Sequence, residues 1–196
     1  MKTVIRKHMF ETNSSSTHTV VCTGSDASTN NGKVHFRLSD YSDKALIPGR
    51  RYDWTQEWIT SPTEKLLYLL CYAYANCSYH IDDVSSGRDE LDVINERVNE
   101  VPDDDADQCW KDLYELVDFV CQYNSEPCHG VEFYIEDWDI GVDHQSQYGS
   151  LERFYQYNNI DSLYDFIFND NVWLRITNDN EEDEELAKYR PDYDEY

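Results

Sequence analysis

The sequence predicts an α+β fold, with short strands at both ends of the chain around a mainly helical middle. Three observations point there. Short β-prone runs lie near both ends, around Val4-Ile5, from His18 to Cys22 and from Val172 to Thr177. Ser61-Pro62-Thr63-Glu64 is a helix start, with Ser as N-cap, Pro at the first helical position and Glu placed to complete a capping box. From there to about residue 124, apolar residues recur at helical spacing.

In chain order, 3–9 and 18–22 are expected as strands joined by the polar run Glu11 to Thr17. A loop rich in Ser, Thr, Asn and Gly follows from Thr23 to Gly32, and residues 33–38 alternate with period two, as in a half-buried strand. Leu66, Leu67, Leu70, Cys71 and Tyr74 share one face, which predicts a helix over 62–76. Leu91, Ile94 and Val98 predict a second near 88–100, and Trp110, Leu113, Leu116, Val117 and Val120 a third near 105–124. Between them, Pro102-Asp103-Asp104-Asp105 is an acidic turn placed to cap the third helix, whose N-terminus favours carboxylates. A strand over 130–136, short helices over 150–157 and 161–168, and a closing strand over 172–177 complete a single α+β domain, 1–177. Residues 178–196, with nine acids, two bases and no apolar face, read as an acidic tail.

Hydrophobic residues make up 40% of the 196 and aromatics 14%, enough to build a core. The formal charge is −24, and its distribution is uneven. Residues 1–60 hold eight Lys/Arg against six acids, a net +2; residues 61–196 hold the other eight against 34, a net −26. A body of that sign repels nucleic acid and anionic lipid and attracts basic partners. Direct nucleic-acid binding is therefore not expected, because affinity for phosphates comes from Lys and Arg. Arg50-Arg51 with Lys44 is the one basic patch, and its commoner meaning is an anchor against the protein's own acidic body.

No 18-residue apolar run and no apolar signal segment occur, so the expected setting is cytoplasmic, with no membrane contact. The six cysteines (Cys22, Cys71, Cys77, Cys109, Cys121, Cys128) form no C-x-x-C pair. They read as buried free thiols rather than a disulfide framework or zinc site, and neither a metal nor a cofactor is expected.

The most unusual local sequence is Phe10-Glu11-Thr12-Asn13-Ser14-Ser15-Ser16-Thr17-His18. With Ile5-Arg6 before it, it resembles the N-terminal signature of a family of uncharacterised proteins from Firmicutes and their phages. Asp143-His144-Gln145-Ser146 and Asn178-Asp179-Asn180 are similar to segments of the same group. The resemblance implies a phage or mobile-element setting and carries no activity with it.

Physically, hydroxyls and an Asn between two strands can turn backbone N–H groups toward an anion, with Arg6 and His18 beside them. The same residues also make ordinary Asx and Ser/Thr turns, and the glycines of phosphate-cradling loops are missing. An enzyme would have to combine Asn13–His18 with Asp143 and His144. In a hydrolase, Ser14, Ser15 or Ser16 with His18 or His144 would be nucleophile and base, and Asp143 or Asp139 the orienting group. In a metal-dependent nuclease, Asp137, Asp139, Asp143 and His144 would hold Mg²⁺ or Mn²⁺. No nucleophile elbow or oxyanion motif accompanies either set.

The acidic stretches support a different reading. Asp103, Asp104, Asp105 and Asp107, then Glu132, Glu136, Asp137 and Asp139, then Glu181, Glu182, Asp183, Glu184 and Glu185 are candidates for a surface that imitates the charge of DNA. Small acidic phage proteins that mimic DNA and block restriction or CRISPR effectors share this composition, a likeness of class without a common motif. A charge of −24 lies beyond the ~2–8 that solubility asks of a small domain. The expectation is an interaction protein rather than an enzyme, with a basic nucleic-acid-binding protein as partner.

Overall fold

The computed structural model describes residues 4–6, 16–22, 32–52, 57–78, 81, 89–136, 139–142, 150–158 and 160–178. The elements run β1 (Val4–Arg6), β2 (Ser16–Cys22), β3 (Ala45–Gly49), β4 (Arg51–Tyr52), β5 (Glu57–Ile59), α1 (Pro62–Ser78), α2 (Glu90–Arg97) and α3 (Gln108–Tyr123). After them come β6 (Val131–Ile135), β7 (Gly141–Val142), α4 (Leu151–Asn158), α5 (Leu163–Phe168) and β8 (Val172–Asn178). Strands at both ends enclose a helical middle, as the sequence predicts.

Helix α1 is the centre of the molecule. Ser61 Oγ accepts the Glu64 N–H at 3.2 Å, which fixes its first turn. The sequence shows one apolar face, but every residue from Lys65 to Ala75 is buried. Such a helix has to be enclosed by other elements, and α3 makes its most extensive contact, with β7, α5, α2 and β3 packing around it as well. Each fully buried Leu contributes about 1.5–3 kcal/mol through area removed from water, so Leu66, Leu69 and Leu70, all at 0% exposure, anchor one continuous core.

Two sheet systems flank this helix. The four-stranded sheet has the order β1-β2-β8-β5 and is antiparallel throughout. Its β2–β8 register pairs Ser16 with Asn178 through Cys22 with Val172, so the N-terminal strand is completed only by the C-terminal one. In the second system β3 pairs with β6 and β4 with β7, both parallel. Parallel pairing needs a long crossover, here the α1–α3 helices. Where the two parallel pairs adjoin, Glu136 N–H bonds to Gly49 O and Gly141 N–H to Arg50 O, on either side of Arg50.

The sheet edges are finished by asparagine side chains. On α2, Asn95 donates to Phe133 O (2.9 Å) and accepts from Phe133 N (2.8 Å). One turn on, Asn99 does the same with Val131, at 3.0 and 2.7 Å. The i, i+4 spacing of the helix thus matches alternate residues of β6, and the amides stand in for a neighbouring strand. Gly130, at φ 143°, is needed beside this contact, because a Cβ there would run into Asn99 Oδ1.

Residues 33–38 keep their predicted alternation, with Val34 and Phe36 buried and Lys33, His35 and Arg37 exposed. They do not form a strand, however, and make only isolated bridges, Val34 with Asn124 and Leu38 with Ala45. The reason is a third asparagine. Asn124 pairs its amide with both Phe36 N (2.8 Å) and Phe36 O (3.0 Å), taking the place of a ladder. β3, β4, β5 and β7 leave no mark in the sequence pattern, since they are short and β3 contains Pro48 and Gly49.

Candidate functional site

The acidic surface begins on α2. Val93 and Ile94 face the core, which turns Asp89, Asp92, Glu96 and Glu100 to solvent at i, i+3, i+7 and i+11. Asp89 is the N-cap and accepts the Leu91 N–H at 3.0 Å. With a 1.5 Å rise per residue, the helical part from Asp89 to Glu96 presents one carboxylate per ~5 Å of axis, against one charge per ~3.4 Å on a DNA strand, and Glu100 follows in the turn after the helix. Asp103, Asp104 and Asp105 continue it in an exposed turn closed by the Ala106 N–H to Asp103 O bond.

The predicted capping of α3 by residues 103–105 is not what forms. The helix starts at Gln108, and Asp107 occupies the N-cap position without a side-chain hydrogen bond. Its charge still lies at the positive end of the helix. Nearby cations are engaged otherwise: Arg97 stacks on Trp110 at 4.1 Å, and Lys111 Nζ donates to the backbone Asp104 O at 2.6 Å. Among the described residues no ion pair reaches Asp92, Glu100, Asp103, Asp104, Asp105 or Asp107. Further along α3, Glu115 and Asp118 are exposed. Partial burial, and then the neighbouring Asp112, push the Glu115 carboxyl up.

The second acidic group predicted from the sequence is built differently. Glu136 is exposed and Glu132 half-buried, while Asp139 sits in the loop between β6 and β7 and is tied on both oxygens. Arg51 donates to its Oδ2 and the Ile140 N–H to its Oδ1, each at 2.8 Å. Asp139 therefore supports the loop rather than adding to an open acidic face. Glu90 and Tyr74 stand near it: desolvation, then the Asp139 charge, raises the Glu90 carboxyl, while a hydrogen bond from Tyr74 opposes that rise. Arg50 pairs with Glu64 and lies 4.6 Å from the Tyr52 ring. Both arginines thus anchor against the protein's own acids, as the sequence leads one to expect.

His18 lies on β2 at 7% exposure, and its Nδ1 hydrogen-bonds with the Tyr68 hydroxyl of α1 at 2.8 Å. The Tyr68 ring packs in turn edge-on against Tyr52 at 5.1 Å. This is how a core histidine is accommodated, its ring covered and its nitrogen satisfied. Asn13, Ser14, Ser15, Asp137, Asp143, His144 and Glu181 to Glu185 lie outside the described residues.

Lys65 and Asp112 are buried charges that no run or motif in the sequence marks. Lys65, at 1% exposure, donates to Phe166 O (2.9 Å), Asn169 O (3.0 Å) and Val172 O (2.8 Å), capping the C-terminal end of α5 and the start of β8. Asp112 accepts from Gln108 Nε2 (2.7 Å) and from the Leu151 N–H (2.9 Å) at the first turn of α4, and burial pushes its carboxyl up. Each falls within a helical apolar pattern, where the only signal is a charge on the wrong face.

Cys71, Cys77, Cys109 and Cys128 are buried free thiols and Cys121 is half-buried. No group of three or more His, Cys, Asp or Glu placed to hold a metal occurs among the described residues. No helix among them is long and apolar enough to cross a membrane. No protein-family model, no curated protein and no solved structure matches the chain.

Proposed function

We propose that the protein is a phage or mobile-element interaction protein that inhibits a basic, nucleic-acid-binding host defence effector through an acidic surface that imitates DNA. One observation carries the reading: Asp89, Asp92, Glu96 and Glu100 and the acids of the 103–107 turn are exposed, and among the described residues no ion pair reaches Asp92, Glu100, Asp103, Asp104, Asp105 or Asp107. A solvated face of this kind gains little for the fold and attracts a basic partner over long range. The partner class is a restriction nuclease or a CRISPR effector, whose DNA-binding channel is lined by Lys and Arg.

Such binding competes with DNA and weakens steeply with salt, because it replaces the counterions of both surfaces. The test is competition: the protein should displace duplex DNA from a candidate effector at low salt. Asp103→Asn/Asp104→Asn/Asp105→Asn should weaken that displacement at least tenfold while leaving the fold intact. Salt-insensitive binding, or equal potency of the triple variant, would sink the proposal. Among the described residues of the enzyme reading, His18 is tied to Tyr68 in the core, Ser16 pairs with Asn178 in the sheet, and Asp139 is held by Arg51 and the Ile140 N–H.

A further inference from the structure

Residues 33–38 turn their basic side chains to one face. Val34 and Phe36 are buried, so Lys33, His35 and Arg37 stand exposed on the other side, at ~6.7 Å intervals along extended backbone. The antiparallel Leu38–Ala45 bridge brings half-buried Lys44 to the same face, because Ala45 beside it points into the core. This stripe is fixed from behind. Val34 N–H bonds to Tyr123 O (3.0 Å), the Asn124 amide brackets Phe36, and His35 N–H bonds to Thr63 Oγ1 (2.9 Å). A surface held in this way loses little freedom on binding.

The chain has 40 acids against 16 Lys and Arg, and Arg50, Arg51, Lys65, Arg97 and Lys111 are all engaged within the fold. The stripe is different. Among the described residues no ion pair, ring or hydrogen bond engages the side chains of Lys33, His35, Arg37 or Lys44. Asp43, across the hairpin tip, pairs with His129 instead. On a chain of charge −24, such a face is complementary to a carboxylate-rich occupant.

We propose that this stripe docks the acidic segment 179–196 of the same chain. The segment holds nine acids against two bases. When extended, it presents Glu181, Asp183 and Glu185, and again Asp192 and Asp194, at the same two-residue repeat as Lys33, His35 and Arg37. It follows β8 directly, and its 18 residues reach up to about 60 Å, beyond the ~40 Å diameter of a folded body of this size. Tethering gives it a millimolar effective concentration, which a separate acidic peptide or a second copy lacks. Nucleic acid matches the stripe in charge but first has to approach a body of −26. Docking holds the tail's carboxylates against the N-terminal third and keeps them from a basic partner until that partner displaces them. The docking itself does not depend on the proposed function.

A water-soluble carbodiimide joins an ammonium to a carboxylate only where the two touch, which makes Lys33 the reporter. The intact chain is treated at micromolar concentration in low salt, the monomer is isolated, and its digest is mapped by mass spectrometry. An amide between Lys33 and a carboxylate of 179–196, one water lighter than its separate parts, is expected in the monomer. It should fall roughly fivefold in about 0.5 M NaCl, where the Debye length is ~4 Å. Arg37→Glu should lower it by roughly threefold or more, the loss of an exposed ion pair, and leave Tm unchanged. Lys33 joined only to acids within residues 4–178, a link unaffected by Arg37→Glu, or a link confined to the dimer would overturn the proposal. So would loss of the link to an oligothymidylate strand at micromolar concentration, which would assign the stripe to nucleic acid.

Discussion

Replacing Lys65 by methionine tests how the central helix is joined to the C-terminal strand. The ammonium has three donors, and three backbone carbonyls receive them within 3.0 Å: Phe166, Asn169 and Val172. Lys65→Met keeps the stem volume and removes all three bonds. Leaving buried acceptors unsatisfied costs about 1–3 kcal/mol each. Against this stands the relief of no longer desolvating a cation, itself several kcal/mol. The balance is a net loss of about 3 kcal/mol, or a fall in Tm of roughly 6–12 °C for a chain of this size. Urea unfolding of the full chain, followed by tryptophan fluorescence at neutral pH, should show a lower midpoint with an unchanged slope. Lys65→Arg should fail to rescue, because a planar fork cannot serve three convergent carbonyls. A loss under 0.5 kcal/mol for Lys65→Met would refute the reasoning and show that the burial cost cancels the bonds.

Asn95→Ala and Asn99→Ala should each cost about 1–3 kcal/mol, since each leaves an N–H and a C=O of β6 without their partner; the double variant should lose hydrogen-exchange protection specifically at Val131 and Phe133. Stability should fall as pH rises from about 4 toward neutrality. Glu90, Asp112 and Glu115 have carboxyls raised in the folded state, so the native chain binds more protons than the unfolded one across that window. Urea midpoints at about pH 5 and pH 7.5 check this, and Asp112→Asn should flatten the difference. Asp103→Asn/Asp104→Asn/Asp105→Asn should change stability by less than about 0.5 kcal/mol, because these exposed groups hold nothing in place through their side chains; thermal unfolding checks it.

How much of this was legible in the sequence depended on the range of the signal. The start of α1 is legible because Ser61 and Pro62 act within one turn, although the Glu64 carboxylate that would complete the capping box pairs with Arg50 instead. The anchoring of Arg50 and Arg51 followed from charge balance, though Glu64 and Asp139 as partners did not. The parallel pairing of β3 with β6 had no local mark, since its register joins Ala45 to Val131 across three helices. The asparagine edges were hidden for the same reason: Asn95 and Asn124 look like ordinary polar helix and cap residues until their strand is beside them. Of the candidate site, the exposure of Asp103 to Asp107 follows from the turn around them. The ridge of Asp89, Asp92 and Glu96 follows from helical period, and its acids are scattered singly along the sequence rather than gathered in a run.

The pairing of β2 with β8 has a consequence for synthesis. Cys22 finds Val172 and Ser16 finds Asn178, so the first strand of the pair waits for nearly the whole described chain to leave the ribosome. At ~5–20 residues per second, that wait is roughly 8–30 seconds. The acceptors of Lys65, at Phe166, Asn169 and Val172, emerge in the same late interval. Until then, one backbone edge of β2 has no strand to pair with and the Lys65 ammonium lacks its three carbonyls. A nascent chain arrested before residue 172 should bind hydrophobic-surface chaperones, and one released after residue 178 should not.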